Sequence, residues 1–141
     1  MSEECCAPGG DLMILSCSGG SNVGQLSNQA ATELTQEGFG KIFCLAGIGG
    51  HLSGFVQSAK DVPNMVAIDG CEVGCAKAIL GQADVPLKSY LVLTELCIEK
   101  NKDFNLKRDE IDKVKAAIKQ ACPSQQTTAS SVSGGRNSCC D

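Results

Sequence analysis

Cysteines stand at the points where apolar stretches of this sequence give way to helical ones. Cys71 and Cys75 follow the apolar segment "NMVAID", Cys17 follows "DLMILS", and Cys44 lies within "KIFCLA". Thiolates bind Zn²⁺ at about 2.3 Å, and side chains four residues apart share one face of a helix. These four cysteines are therefore candidate ligands of a metal ion.

The composition is that of one soluble globular domain. The 141 residues are 43% hydrophobic and 20% charged, with a net charge of −4. No apolar run reaches the roughly 18 residues of a membrane-spanning helix, and "MSEECCAPGG" lacks the features of a secretory signal. We therefore expect a cytoplasmic protein with no membrane partner. Since the chain is acidic and has one Tyr and no Trp, we expect no nucleic-acid partner either.

The number of cysteines also limits the chemistry. Ten cysteines in a chain of this length fall below the density of a disulfide scaffold, and the chain has enough apolar residues to fold without cross-links. In a reducing compartment, clustered cysteines indicate metal binding or reactive thiols.

Short apolar runs alternate with segments of helical periodicity, which is typical of βαβ units. The pattern predicts an α/β fold, a small three-layer sandwich with a mainly parallel, flavodoxin- or Rossmann-like sheet. Strands are predicted at "DLMILSC", "KIFCLA", "NMVAID" and "KSYLVLTEL", and helices around residues 23–34, 52–59, 76–80 and 111–121. The first and third helices are expected to end at Gly38 and Gly81, and the last before Pro123.

We expect the strand order 2-1-3-4, because any order that separated the first strand from the second and third would scatter the thiols. In this order Cys17 lies between Cys44 and the pair Cys71 and Cys75, at the carboxyl edge where α/β sheets collect ligands. Helix amino termini after Cys17 and Cys71 are expected to favour thiolates. One tetrahedral zinc site is then possible, with an iron–sulfur cluster of an electron carrier or sensor as the alternative.

A cysteine taken alone is more often a small hydrophobic core residue than a metal ligand. Cys44 is the weakest of the four candidates because it lies within an apolar segment.

Three motifs, "SCSGGSNVGQ", "CLAGIGGH" and "IDGCEVGCAKAIL", resemble those of the DGC-domain family over about residues 12–100. The family is named for an Asp-Gly-Cys sequence, found here at residues 69–71. The resemblance implies zinc binding by Cys17, Cys44, Cys71 and Cys75, and it leaves the biochemical role open.

Other residues near this edge have two interpretations each. Asp69 could orient a ligand, although capping the following helix is the commoner use of Asp. His51 is expected to open the second helix and could be a fifth ligand, a general acid or base, or a surface residue. Cys97 is expected to end the fourth strand on the same edge, as a further ligand or a buried thiol. Cys122, in the last helical turn, has no evident partner.

An enzyme is the alternative of a different class, and the sequence leaves that question open. Here Cys17 would be a nucleophile attacking an anionic or thiol substrate held by "SGGSN". A glycine-rich turn before a helix can bind anions. The turn "SGGSN" lacks the Lys of a P-loop and the full G-x-G-x-x-G fingerprint. Its sequence therefore does not identify a reaction.

We expect the domain to span residues 11–122 and the polar segments 1–10 and 123–141 to be disordered tails. The tails hold two vicinal pairs, Cys5 with Cys6 and Cys139 with Cys140. Adjacent thiolates on a mobile chain suit a thiophilic metal or metalloid such as arsenite, mercury or copper(I). The pairs could equally be incidental residues or a disulfide link between chains.

Overall fold

A sheet of four parallel strands forms the centre of the structure, a computed structural model that describes residues 12–122. The strands are β1 (Leu12–Ser16), β2 (Lys41–Ile42), β3 (Asn64–Asp69) and β4 (Ser89–Val92). Their order is β2-β1-β3-β4, and all three pairings are parallel. The predicted α/β class and strand order are thus confirmed. The predicted tails lie outside the described residues, so the domain limits stay a prediction.

In the described part of the chain, five α-helices cover the two faces of the sheet. They are α1 (Asn22–Gln36), α2 (Leu45–Gly49), α3 (Ser53–Asp61), α4 (Cys75–Gln82) and α5 (Arg108–Ala121). Between residues 12 and 122, no helix has the length and apolar character needed to cross a membrane.

The core has two halves because successive side chains of a strand point to opposite faces. Leu12 and Ile14 of β1 pack with residues of α1 and α5. Met13 and Leu15 pack on the other face with residues of α2, α3 and α4. This arrangement confirms the three-layer sandwich.

Charged side chains join α1 to α5 on the first face. Glu33 of α1 forms ion pairs with Arg108 and, at 3.3 Å, with Lys115 of α5. Lys115 also pairs with Glu37. Hydrogen bonds from Gln29 and Arg108 lower the pKa of Glu33 to about 2.

The second predicted strand is wrong in its extent. It ends at Ile42, and Cys44 is instead the N-cap of α2, where its sulfur accepts a hydrogen bond from the Gly47 amide at 3.4 Å. The segment after Cys44 forms the short helix α2, which the apolar pattern of the sequence does not indicate. His51, with a φ of 55°, lies in the turn between α2 and α3 and does not open a helix.

The fourth predicted strand is also too long. It ends at Val92, and Leu93–Leu96 form a 3₁₀ turn. Cys97 follows that turn with a φ of 60°. Cys97 therefore lies beyond the turn and does not end a strand.

Candidate metal centre

Three of the four candidate cysteines line one pocket. The pocket has a volume of about 270 Å³ and contains Cys17, Cys71 and Cys75 in its wall. It lies beyond the carboxyl ends of β1 and β3, where the two loops that carry these cysteines run side by side. Most of the remaining wall is made by five glycines and by Lys100 and Lys102, so thiols and ammonium groups dominate its chemistry.

Cys17 directly continues the pairing of β1 with β3. Its amide donates to the Ile68 carbonyl at 2.9 Å, and its side chain is half-buried. Burial raises the pKa of the Cys17 thiol, and nearby Asp69 and Cys75 raise it too, against the lowering effect of the Gly19 and Gly70 amides. Burial outweighs these amides, so the net pKa of the Cys17 thiol lies above its ordinary value although backbone amides favour the thiolate.

The loop that carries Cys71 and Cys75 requires glycine at two positions. Gly74 has a φ of 69° and its amide donates to the Cys71 carbonyl at 3.2 Å, which turns the chain into α4. A Cβ atom on Gly70 would lie 2.7 Å from the Gly24 amide nitrogen in the first turn of α1. The absence of a side chain at Gly70 thus allows the loop of Cys71 to pack closely against the first turn of α1.

Asp69 fixes the start of α4. It is 1% exposed, and its carboxylate accepts hydrogen bonds from the amides of Ala76 at 2.8 Å and Lys77 at 3.1 Å. The Tyr90 hydroxyl donates a third bond, at 2.7 Å. The prediction that Asp69 caps the following helix is confirmed, and the cap determines where Cys75 begins that helix.

The turn before α1 is closed by bonds within the protein. The Gly24 amide donates to Ser21 Oγ at 3.2 Å, and the Asn22 amide donates to the Asn101 carbonyl at 3.0 Å. The Gln25 amide donates to the Ser21 carbonyl. These bonds occupy amides that a bound anion would otherwise engage, so they weaken the hypothesis of an anion-binding loop at "SGGSN".

Lys100 and Lys102 were not identified from the sequence. Lys100 Nζ donates to Cys71 Sγ at 3.4 Å, and Lys102 Nζ donates to the Gly20 carbonyl. Their segment, "EKNKDFNLKR", mixes acids and bases in the manner of a solvated surface. Only the fold places these two lysines beside the thiols, and no sequence signal marks them.

The remaining candidates lie outside the wall of this pocket. Cys44 is exposed at the start of α2, His51 is exposed in the next turn, and Cys97 is exposed after the 3₁₀ turn. Cys122 packs in the core near α5, and burial raises the pKa of its thiol. It therefore behaves as a small hydrophobic residue.

The cysteines around the pocket have the chemistry of a soft-metal site but are not yet arranged as one. Within residues 12–122, no group of three or more Cys, His, Asp or Glu side chains has the geometry to hold a metal ion. Three thiols nevertheless share one pocket, and its glycine-lined backbone leaves room around them. Binding of one ion thus requires the thiol side chains to turn towards each other, and the donor set fits zinc.

Comparison with known proteins places the chain in a family. It is 34% identical over 88 residues to the anaerobic and virulence modulator AnvM of Pseudomonas aeruginosa, and the alignment covers 62% of this chain and 67% of AnvM. No solved structure matches the chain significantly. The family model for the DGC domain matches residues 13–118, a range that includes all four candidate cysteines. The chain therefore belongs to the DGC domain family.

Proposed function

We propose that this domain binds one metal ion, Zn²⁺, through the thiolates of Cys17, Cys71 and Cys75, with Cys44 as the fourth ligand. The single observation that supports this most is the shared pocket of three cysteines from two neighbouring loops. Membership in the DGC family supports a metal-binding role in general terms.

The topology supports Cys44 as the fourth ligand. The Phe43 amide donates to the Ile14 carbonyl at 2.9 Å, so the chain is still beside β1 one residue before Cys44. Neighbouring strands lie about 4.8 Å apart. Cys44 therefore starts beside the end of β1, which Cys17 directly follows, and its sulfur gives up only one weak amide contact if it turns to a metal.

Four thiolates make a closed site without a position for a catalytic water. The proposed role is therefore metal binding, as a structural or metal-handling protein, and not metal-catalysed hydrolysis. The proposal assumes a reducing compartment such as the cytoplasm, where the thiols remain available. The alternative occupant of a four-cysteine set is an iron–sulfur cluster, which would serve electron transfer or sensing.

Anaerobic purification followed by metal and sulfide analysis tests the proposal. We expect colourless protein that binds one zinc per chain, and lower zinc affinity after Cys17→Ser, Cys71→Ser, Cys75→Ser or Cys44→Ser. Cys97→Ser is the matched control and should retain zinc. Brown protein with acid-labile sulfide would favour the cluster, and equal zinc binding by wild type and Cys17→Ser would contradict the proposed site.

We also propose that the vicinal pairs Cys5 with Cys6 and Cys139 with Cys140 capture soft ions, so that the protein acts in the handling of metals or metalloids. The pairs lie outside the described residues, and the proposal rests on the affinity of soft sulfur ligands for such ions. Calorimetry with arsenite, Hg²⁺ or copper(I) under reducing conditions should show extra binding capacity in the full chain. A variant with all four tail cysteines changed to Ser should lose it, and equal stoichiometry in the two chains would refute a role for the tails.

A further inference from the structure

Two lysines on one loop face the thiol pocket. This loop, residues 99–103, is called the lysine loop below. Lys100 and Lys102 both line the pocket; Lys100 contacts the Cys71 sulfur at 3.4 Å, and Lys102 contacts the Gly20 carbonyl. Gly20 lies in the segment that joins Cys17 to α1. The lysine loop therefore reaches both cysteine-bearing segments.

A buried side chain anchors the lysine loop. Asn22, in the first turn of α1, is 5% exposed. Its Nδ2 donates to the Glu99 carbonyl at 2.8 Å, and its Oδ1 accepts from the Asn101 amide at 2.6 Å. The Asn22 amide donates to the Asn101 carbonyl at 3.0 Å. Three bonds from one residue thus fix the backbone on both sides of Lys100.

Within residues 12–122, no free carboxylate opposes these lysines in the pocket wall. Among the described residues that line the pocket, the one carboxylate is that of Asp69. Both of its oxygens already accept hydrogen bonds from α4 and Tyr90. The ammonium groups therefore remain available to a negative charge that develops on the thiols.

A metal–thiolate centre creates such a charge. Four thiolates around a divalent ion leave two excess negative charges at the site. The chain already has a net charge of −4, and a charge that is partly removed from water requires a partner. N–H donors to ligand atoms are the usual outer-shell support of a metal site.

We propose that Lys100 and Lys102 provide the counter-charge of the metal–thiolate centre, and that Lys100 is a positioning residue acting through the sulfur of Cys71. This inference rests on the proposed function, and it adds two residues from outside the cysteine motifs to the site. Loss of an outer-shell partner typically costs 10- to 100-fold in metal affinity. Lys100 and Lys102 are exposed to solvent, which screens their charge. We therefore expect the lower end of that range, about 10-fold for Lys100→Gln, and a smaller loss for Lys102→Gln.

Zinc affinity of the full, reduced chain, measured by competition with a chromophoric chelator, tests the inference. The variants are Lys100→Gln, Lys102→Gln and the conservative Lys100→Arg, with Lys113→Gln as the control. Lys113 is exposed on α5 and lies outside the pocket wall. We expect the affinity to fall for both pocket Gln variants, to recover in Lys100→Arg, and to stay unchanged in Lys113→Gln.

Salt dependence separates a charge effect from a structural one. At about 1 M salt the screening length falls to about 3 Å. The difference in zinc affinity between wild type and Lys100→Gln should then shrink, whereas loss of local packing would leave it unchanged. Urea unfolding of the metal-free variants should match that of the wild type.

The two proposals fail in different ways. If wild type binds zinc through its cysteines and Lys100→Gln binds it equally well at low salt, the inference about the lysines is overturned and the proposed function stands. If wild type binds zinc no better than Cys71→Ser, the proposed function is wrong and the inference falls with it.

Discussion

Tyr90 and Asp69 are joined by a hydrogen bond of 2.7 Å in which the tyrosine hydroxyl donates to the carboxylate. Tyr90 lies on β4 and Asp69 at the end of β3. The same carboxylate accepts the bonds from the first turn of α4. One buried acid thus connects two strands and a helix immediately before the loop that holds Cys71 and leads to Cys75, the first residue of α4.

Asp69→Ala should destabilise the metal-free protein by about 2 kcal/mol. The change removes a helix cap, worth about 1 kcal/mol, and leaves buried amide and hydroxyl donors without an acceptor. Tyr90→Phe removes one of the three bonds and should cost about 1 kcal/mol. The free energy of unfolding in urea measures both, and an Asp69→Ala chain as stable as the wild type would show that the carboxylate is not a structural cap.

Gly70→Ala should destabilise the protein by about 1 to 3 kcal/mol, as overpacked sites do. A Cβ at Gly70 would meet backbone atoms of Gly24 and Val23 at 2.7 and 2.8 Å, and backbone cannot move as a flexible side chain can. Gly81→Ala is the matched control, since Gly81 lies within α4 and a Cβ there meets no atom of residues 12–122 within 4 Å.

Gly81→Ala should stabilise the protein by about 0.5 to 1 kcal/mol because alanine favours helix. Thermal unfolding of the two variants should therefore shift in opposite directions. A Gly70→Ala chain with the melting temperature of the wild type would mean that the loop of Cys71 is not packed against α1 as closely as described.

Glu33 should make the stability of the protein depend on pH in the acid range. Its folded-state pKa of about 2 lies below the unfolded value of about 4.3. Because the pKa of Glu33 is lowered on folding, its ionised carboxylate stabilises the folded state. This contribution to the free energy of unfolding is fully present above about pH 4.3 and is lost as the pH falls towards 2. The side chain is 14% exposed and its partner Arg108 is 60% exposed, so solvent screens the interaction and we expect about 1 kcal/mol at neutral pH.

Urea unfolding of wild type and Glu33→Gln between pH 2 and pH 7 measures this contribution. The free energies of unfolding of the two proteins should differ at pH 7 and become equal near pH 2. Glu72→Gln, an exposed carboxylate outside the α1–α5 ion pairs, should follow the wild type throughout. A constant difference between wild type and Glu33→Gln across the range would contradict the role of the Glu33 charge.

The sequence was sufficient for the architecture because burial and periodicity are local signals. Continuous apolar runs predicted β1 and β3, and the requirement that Cys17 lie near Cys71 predicted the strand order. The same signals failed at Cys44 and Cys97, where apolar residues continue past the strand ends. Apolarity alone does not distinguish a strand from the short α2 helix or the 3₁₀ turn.

The site was predictable only in its sulfur ligands. Cysteines at strand ends are visible in the sequence, whereas Lys100 reaches the pocket through bonds between Asn22 and the backbone near residue 100. Such long-range backbone contacts leave no periodic pattern. For Cys17 the sequence indicates backbone amides that favour a thiolate, but it does not reveal the burial that raises the net pKa of the thiol.

Cys17 should react slowly with iodoacetamide at pH 7 in the metal-free protein. The thiolate is the reactive form, and burial raises the pKa of Cys17 above its ordinary value, so only a small fraction is ionised at neutral pH. Its labelling rate should rise as the pH increases through and beyond the ordinary cysteine pKa of about 8.5.

Cys122, which is buried, should label more slowly than the exposed Cys97. Mass spectrometry of the native chain resolves these sites, and zinc should protect Cys17 further while leaving Cys97 unchanged. Rapid labelling of Cys17 at pH 7 would contradict this expectation and would favour the alternative in which Cys17 is an enzyme nucleophile.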